Sequence, residues 1–250
     1  MKNIFKIRLH PLFYFVVLIS FFTGHFHDFF LFLSIVLFHE LGHILGGIMF
    51  RWNIKEVIIL PFGAITIFNE CLNKTLKEEF FIAILGPVFQ IIFYLVFKNV
   101  FNISIIHYSL LIFNLLPITP LDGSKILNII FNKLFSFKKS NSLTIIISIV
   151  LVVLISFFWL LYRFNLLILL IFFFLVIKIW QEIQNQGLIF QKFLYERYYF
   201  PIRYKKLKKI SGIDVSKIYK DCRHLFYDDK KSYTEREILR KRFDFKGKLW

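Results

Sequence analysis

Cysteine is nearly absent from this 250-residue chain. Cys71 and Cys222 are the only two, too few for a disulfide framework, and neither has a neighbour that would complete a CxxC metal pair. They read as reduced thiols of a cytoplasmic compartment. Charge is scarce as well, at 19% of residues, and acidic charge is scarcest, with 16 Asp and Glu against 32 Lys and Arg. The low hydrophobicity that marks a disordered chain is missing, since 57% of residues are hydrophobic and 35 are Phe. A soluble domain is about half apolar and a quarter charged, so an ordinary water-soluble domain is excluded. No nucleic-acid motif accompanies the basic surplus, and nucleic acid is not an expected partner. The solvent this composition fits is the bilayer.

Long apolar runs are what the chain has in quantity. Residues 9–24, 29–50, 80–97, 103–116, 143–161 and 166–180 read as membrane spans, which take about 17–25 residues. The first follows Lys2, Lys6 and Arg8 as a signal peptide would, but no small-x-small cleavage site follows it, so it reads as retained. The last two are separated only by residues 162–165, as in a tight helical hairpin. With the N-terminus in the cytoplasm, the alternate loops place 30 basic residues on the cytoplasmic side and only Lys98 and Arg163 outside. Both termini are then cytoplasmic. The expected fold is an all-α polytopic membrane protein: six transmembrane helices over residues 1–180, then a basic cytoplasmic tail over 181–250. The 29-residue loop 51–79 is too short for a domain, and its β-branched runs around Pro61 and Gly63 read as a short β-hairpin.

The second run carries His39, Glu40 and His43, three ionisable residues in an otherwise apolar stretch. Each costs about 2.5–3.5 kcal/mol at mid-bilayer on insertion scales, so something must compensate them. Residues i and i+4 share a helix face, so His39 and His43 can direct two imidazoles at one metal ion with Glu40 beside them. This is the HExxH arrangement of zinc hydrolases, in which the metal acidifies a water and the Glu takes its proton. The plainer account is a histidine pair satisfied by hydrogen bonds between helices. Zinc needs at least one further protein ligand. The fourth run ends in Asn114-Leu-Leu-Pro117-Ile-Thr-Pro120-Leu-Asp122-Gly123. Two prolines end a helix, and irregular backbone at membrane depth is tolerated only where it lines a cavity or is buried in protein. Counting ~1.5 Å per residue from the outer side puts His39 and His43 ~15–21 Å deep and the helix break ~21 Å deep, so Asp122 can meet them from another helix. Otherwise Asp122-Gly123 is a turn before the amphipathic stretch 124–135.

Taken together, Phe38-His-Glu-Leu-Gly-His43, Gly86-Pro87, and Asn114-Leu-Leu-Pro117 leading into Leu121-Asp122-Gly123 resemble the site-2 protease family of intramembrane zinc metalloproteases. The resemblance implies Zn2+ held by His39, His43 and Asp122, Glu40 as general base, and Asn114 as a substrate-positioning residue. It also implies hydrolysis of a membrane-associated protein. The loop 51–79 leaves no room for the PDZ domain that many members insert, and the span pattern is similar to the sporulation branch. In that branch the substrate is pro-sigma-K, at the outer forespore membrane, and small membrane proteins inhibit the protease. Gln90 stands where the family often has Asn, and Ser124 where a second Gly is common. The CBS domain usual in that branch has no recognisable strand–helix pattern in residues 202–250.

Two other functions are carried alongside: a general site-2 protease acting on an anti-sigma factor, and a membrane zinc transporter. The transporter reading lacks a His or Asp cluster on adjacent spans. Gly42 and Gly46 read as a helix-packing pair, with access of substrate backbone to the metal as the second reading. His10, His25, His27, His107 and His224 are assigned to no metal. The block 203–209 is expected to meet anionic lipid or an acidic substrate segment, and oligomerisation is left open.

Overall fold

The computed structural model describes residues 6–60, 63–69, 72–162, 166–200, 204–228 and 231–244. Pro61 at the expected turn, Cys71, and the linker 163–165 between the last two apolar runs lie outside these residues. The chain forms two units. The first comprises Met1–Glu70, Glu78–Leu116 and Leu121–Gly123; the second comprises Cys71–Lys77, Pro117–Pro120 and Ser124–Trp250.

The first unit opens with strand β1 (Lys6–Leu9) and helix α1 (Pro11–Phe22), whose first residue is a proline, the position where a missing N–H costs nothing. Helix α2 (Phe26–Met49) carries the HExxH residues. It ends in a Schellman turn: Arg51 takes a left-handed φ of 56°, its N–H reaches the Ile48 carbonyl, and the Trp52 N–H reaches that of Gly47 at 2.7 Å. That turn directs the chain into strands β2 (Ile54–Leu60) and β3 (Gly63–Phe68), which pair antiparallel with Val57 opposite Thr66. The hairpin expected in this loop is therefore present. It is joined by β1, parallel to β2, with Arg8 Nε 3.1 Å from Glu56 Oε2. β1 was not expected, because Lys6 and Arg8 read as the charged flank of a span. Helices α3 (Leu76–Phe97) and α4 (Ser104–Leu115) complete the unit.

The polarity of this unit is inverted relative to a soluble domain. His39, Glu40, His43, Gln90, His107 and Asp122 are buried, while Leu95, Val96, Ile105 and Ile112 are 56–78% exposed. Such an apolar exterior suits lipid rather than water. Among the described residues, α2, α3 and Phe137–Phe157 are long and apolar enough to cross a bilayer. α1 and α4 are apolar but have 12 residues each, ~18 Å, short of a ~30 Å hydrocarbon core.

In the second unit, helix α5 (Asp122–Leu134) leads to α6 (Phe137–Tyr162) and α7 (Leu166–Tyr199). Ser140, Thr144 and Ser148 recur every fourth residue on one buried face of α6. Ser148 Oγ accepts the Thr119 N–H at 3.0 Å, which fixes the irregular segment after α4, and Asn128 of α5 donates to Asn141 and Thr144. α7 has 34 residues, ~51 Å, and so outruns any hydrocarbon core and continues well past residue 180.

One expectation needs correction here. The tail, in which the sequence shows no strand–helix pattern, contains strands β4 (Leu207–Ser211), β5 (Arg223–Asp228) and β6 (Lys231–Thr234), which form a sheet followed by helix α8 (Glu235–Asp244). With the first sheet, this makes the protein mainly helical with two small sheets rather than all-α. The strands escape a sequence reading because they are four to six residues long and rich in Lys, Arg and Asp, so no apolar alternation stands out. Their core is supplied largely from elsewhere: Phe190, Phe193 and Leu194 of α7 and Phe137 of α6 pack with Ile210, Ile218, Phe226, Ile238 and Leu239. Phe137 and Phe193 stack at 3.9 Å between centroids. The sheet unit also grips the segment before α3, for Glu196 accepts the Leu72 N–H at 2.6 Å, Asp221 accepts that of Leu76, and Tyr204 donates to the Asn73 carbonyl.

A buried charge cluster ties α7, β5 and α8 together. Arg197 is paired with Glu235, whose Oε2 also accepts His224 Nδ1–H at 2.8 Å; His224 Nε2 in turn accepts the Tyr219 N–H at 3.0 Å. Burial pushes the Glu235 pKa up, but the His224 hydrogen bond and the Arg197 charge outweigh it and hold the pKa below its ordinary 4.5. A lowered carboxylate pKa contributes stability above the unfolded value and loses it as pH falls through the folded one. The protection factors of the amides in residues 204–228 and 231–244, which allow for the intrinsic pH dependence of exchange, are therefore expected to stay high at neutral pH and to fall progressively as pH drops below 4.5. Glu235→Gln is expected to flatten that dependence.

Candidate metal centre

Three helices and one break in the chain build the site. His39 and His43 stand one turn apart on α2, and both face Asp122, the first residue of α5, where a carboxylate also complements the helix N-terminus. His39 Nε2 lies 2.8 Å and His43 Nε2 2.9 Å from Asp122 Oδ2, and the two Nε2 atoms are 3.1 Å apart. All three residues are buried, at 4–5% exposure. Asp122 arrives because α4 stops at Leu115 and the chain runs irregularly to residue 121.

The other ring nitrogens decide what meets at that point. His39 Nδ1 faces Gln90 Oε1 at 3.0 Å, and Gln90 Nε2 donates to the His107 carbonyl at 3.0 Å, which fixes the amide so that its oxygen points at His39. His43 Nδ1 faces the Ile82 carbonyl at 2.8 Å. Both Nδ1 atoms meet acceptors, so both carry the proton, and both Nε2 atoms present lone pairs. In the neutral rings, two Nε2 lone pairs and a carboxylate oxygen thus converge on one point. A cation is the partner such a donor set fits, and the Nδ1 contacts are the outer partners that orient metal-bound histidines. A tetrahedral zinc site has ligand-to-ligand edges of about 3.3–3.6 Å, so these donors need move apart by only a few tenths of an ångström.

Glycines make the room. A Cβ on Gly86 of α3 would run into the imidazoles of both His39 and His43, and one on Gly123 would run into the carbonyls of Leu115 and Leu116. Gly42 abuts the Leu85 backbone and Gly46 the Leu85 side chain and the Ile82 Cα, so this pair packs α2 against α3. In sequence Gly86-Pro87 stands out as part of the family motif; the position of Gly86 against the imidazoles is visible only in three dimensions.

Glu40 is buried beside the pair, and one ligand atom from each of His39, Glu40 and His43 falls within 4.8 Å of the others. Its Oε2 accepts a hydrogen bond from Thr66 Oγ1 of β3 at 2.6 Å. Asn114 lies in the last turn of α4, half-buried. Sequence reasoning passes over Gly86, Gly123 and Thr66 as site residues. Gln90 is read there as a departure from the family's usual Asn and as a side chain able to bond freed backbone groups, not as the partner of His39.

A buried His-Glu-His group among apolar helices can hold a metal ion inside a membrane protein. The sequence profile of peptidase family M50 matches residues 28–106. Stage IV sporulation protein FB of Bacillus subtilis (strain 168) is 33% identical over 225 residues, 85% of this chain and 77% of that protein. A zinc metalloprotease of Methanocaldococcus jannaschii is 33% identical over 146 residues, 52% of this chain and 42% of that protein. In fold, the solved site-2 protease of Methanocaldococcus jannaschii is similar with a TM-score of 0.57 at 24% identity, over 73% of this chain and 92% of the other. The chain belongs to the site-2 protease family, peptidase family M50, and is a metalloendopeptidase.

Two substitutions test the surroundings of the centre. Gln90→Leu is expected to weaken zinc binding about 10- to 100-fold, measured by chelator competition on the purified protein. Gly86→Ala, which puts a methyl group against both imidazoles, is expected to leave the protein with far less than one zinc per chain.

Proposed function

We propose that this protein is a zinc-dependent intramembrane endopeptidase that processes a pro-sigma-K-type substrate, with His39, His43 and Asp122 as zinc ligands and Glu40 as general base. The observation that carries this reading is the convergence of two imidazole lone pairs and one carboxylate oxygen within 3.1 Å, buried among apolar helices. Zinc bound there supplies a Lewis acid and makes water acidic enough to ionise near neutral pH. The remaining chemistry belongs to the chain. Glu40 takes the proton of the attacking water and passes it to the leaving amine. The apolar walls of α2 and α3 limit bulk water, and Asn114, at the mouth of the broken helix, is the residue proposed to hold an unwound stretch of substrate.

The substrate assignment rests on the likeness to a sporulation protein over most of both chains. The basic loops support a multi-pass topology with both termini in the cytoplasm, where a pro-sigma factor would be met. For the transporter alternative, His39, Glu40 and His43 are the only group of this kind among the described residues, so no second metal site marks a pathway.

The test is reconstitution of the full chain in liposomes with two probes, pro-sigma-K and a membrane-spanning anti-sigma segment. Glu40→Gln is expected to keep its zinc while cleavage falls about 100- to 10,000-fold. Asp122→Ala is expected to lose zinc. Cleavage of the anti-sigma segment alone would move the protein to the general branch. Zinc flux without proteolysis would replace the reading altogether.

A further inference from the structure

Thr66 is the feature of the first unit that packing alone does not explain. Alternate residues of a strand share a face, which groups Ala64, Thr66 and Phe68 of β3. Ala64 packs against the apolar cluster that Leu31, Ile35 and Val36 of α2 form with Phe93, Ile103 and Leu110, and the Phe68 ring covers Gly47, with its Cζ 3.2 Å from where a Cβ would stand. This face therefore meets α2 at Glu40 and at Gly47. Midway along it stands a hydroxyl, opposite the one carboxylate that α2 buries.

Strand propensity does not require a threonine here, because valine has the same branched shape and suits a half-buried strand equally well. What threonine adds is the donor. Thr66 Oγ1 donates to Glu40 Oε2 at 2.6 Å, a direct O–H···O hydrogen bond. A glutamate side chain needs such an anchor, since its last torsion is broad and nearly two-fold, so that an untethered carboxylate exchanges its oxygens and swings. A general base displaced by even 1 Å loses much of its effect.

We infer that Thr66 is a positioning residue for the general base: its hydroxyl holds Glu40 Oε2, fixes the plane of the carboxylate, and leaves Oε1 as the oxygen that receives the proton. The inference rests on the reading of Glu40 given above. It brings the loop hairpin, which contributes no metal ligand, into the catalytic apparatus.

The test uses the full chain in the same liposomes, with whichever of the two probes the wild type cuts, and compares Thr66→Val, Thr66→Ser and Glu40→Gln for kcat, KM and zinc content. Thr66→Val is expected to lower kcat about 10- to 100-fold, the scale of one hydrogen bond to a charged group, with KM and zinc stoichiometry unchanged. Thr66→Ser, which keeps the hydroxyl and drops the methyl, is expected to restore kcat to within about threefold of wild type. Three results would overturn the inference: a Thr66→Val enzyme with wild-type kcat, a serine variant as impaired as the valine one, or loss of zinc from the valine variant, which would make the role one of packing. The arms separate the two readings. If Glu40→Gln still cleaves, the general-base reading fails and this inference falls with it; if Glu40→Gln is inactive and Thr66→Val is not, only the role of Thr66 fails.

Discussion

His39 Nε2, His43 Nε2 and Asp122 Oδ2 lie within 3.1 Å of one another, and all three residues are buried among apolar helices. Bringing three such groups together in an apolar setting costs several kcal/mol unless a cation compensates them. The first unit is arranged to make that possible at one point. Gly42 and Gly46 let α3 approach α2 closely, Gly86 clears the volume beside the two rings, and Gly123 lets the start of α5 sit against the end of α4. Gln90 and the Ile82 carbonyl hold the protons on the far side of each ring. Each of these residues is ordinary in itself, and each becomes necessary once the convergence of lone pairs is required.

How much of this centre could be read from sequence follows from the range of each contact. His39 and His43 are related by helix geometry alone, so the pair announces itself in five residues. Asp122 is 79 residues beyond His43, yet it is legible because two prolines break α4 at the depth of the histidines, and depth can be counted along a helix. Gln90, Gly86 and Thr66 leave no comparable trace. Each acts across an interface whose register depends on how α3 and β3 lie against α2, and a glycine in an apolar helix looks the same whether it faces lipid or an imidazole. The family resemblance supplied the roles; the tautomers and the volume around the rings needed coordinates.

The fold divides in a similar way. Apolar runs located the helices, and the loop between α2 and α3 announced its hairpin through β-branched residues around Gly63. β1 was missed because Lys6 and Arg8 look like the flank of a span, whereas Arg8 pairs with Glu56 across a parallel ladder. Part of the basic surplus of the tail has partners inside the second unit. Arg197 neutralises Glu235 inside the second unit, Lys208 stands over the Tyr219 ring at 3.1 Å, and Lys220 is buried near the Phe137 ring. Charge counted along a sequence cannot separate such internal partners from groups that face a membrane.

Size explains why the tail is built as it is. Residues 204–244 alone would make a domain of about 40 residues, near the limit below which an independent core is insufficient. The sheet instead closes over Phe190, Phe193 and Leu194, a stripe on the C-terminal part of α7, and over Phe137 at the root of α6. The length of α7 thus supplies three of the nine buried residues of that core. The same construction ties the module to the chain between β3 and α3 through Glu196, Asp221 and Tyr204. Loosening the module therefore releases residues 72–76. Its stability and the order of that connecting segment are linked through hydrogen bonds to the backbone.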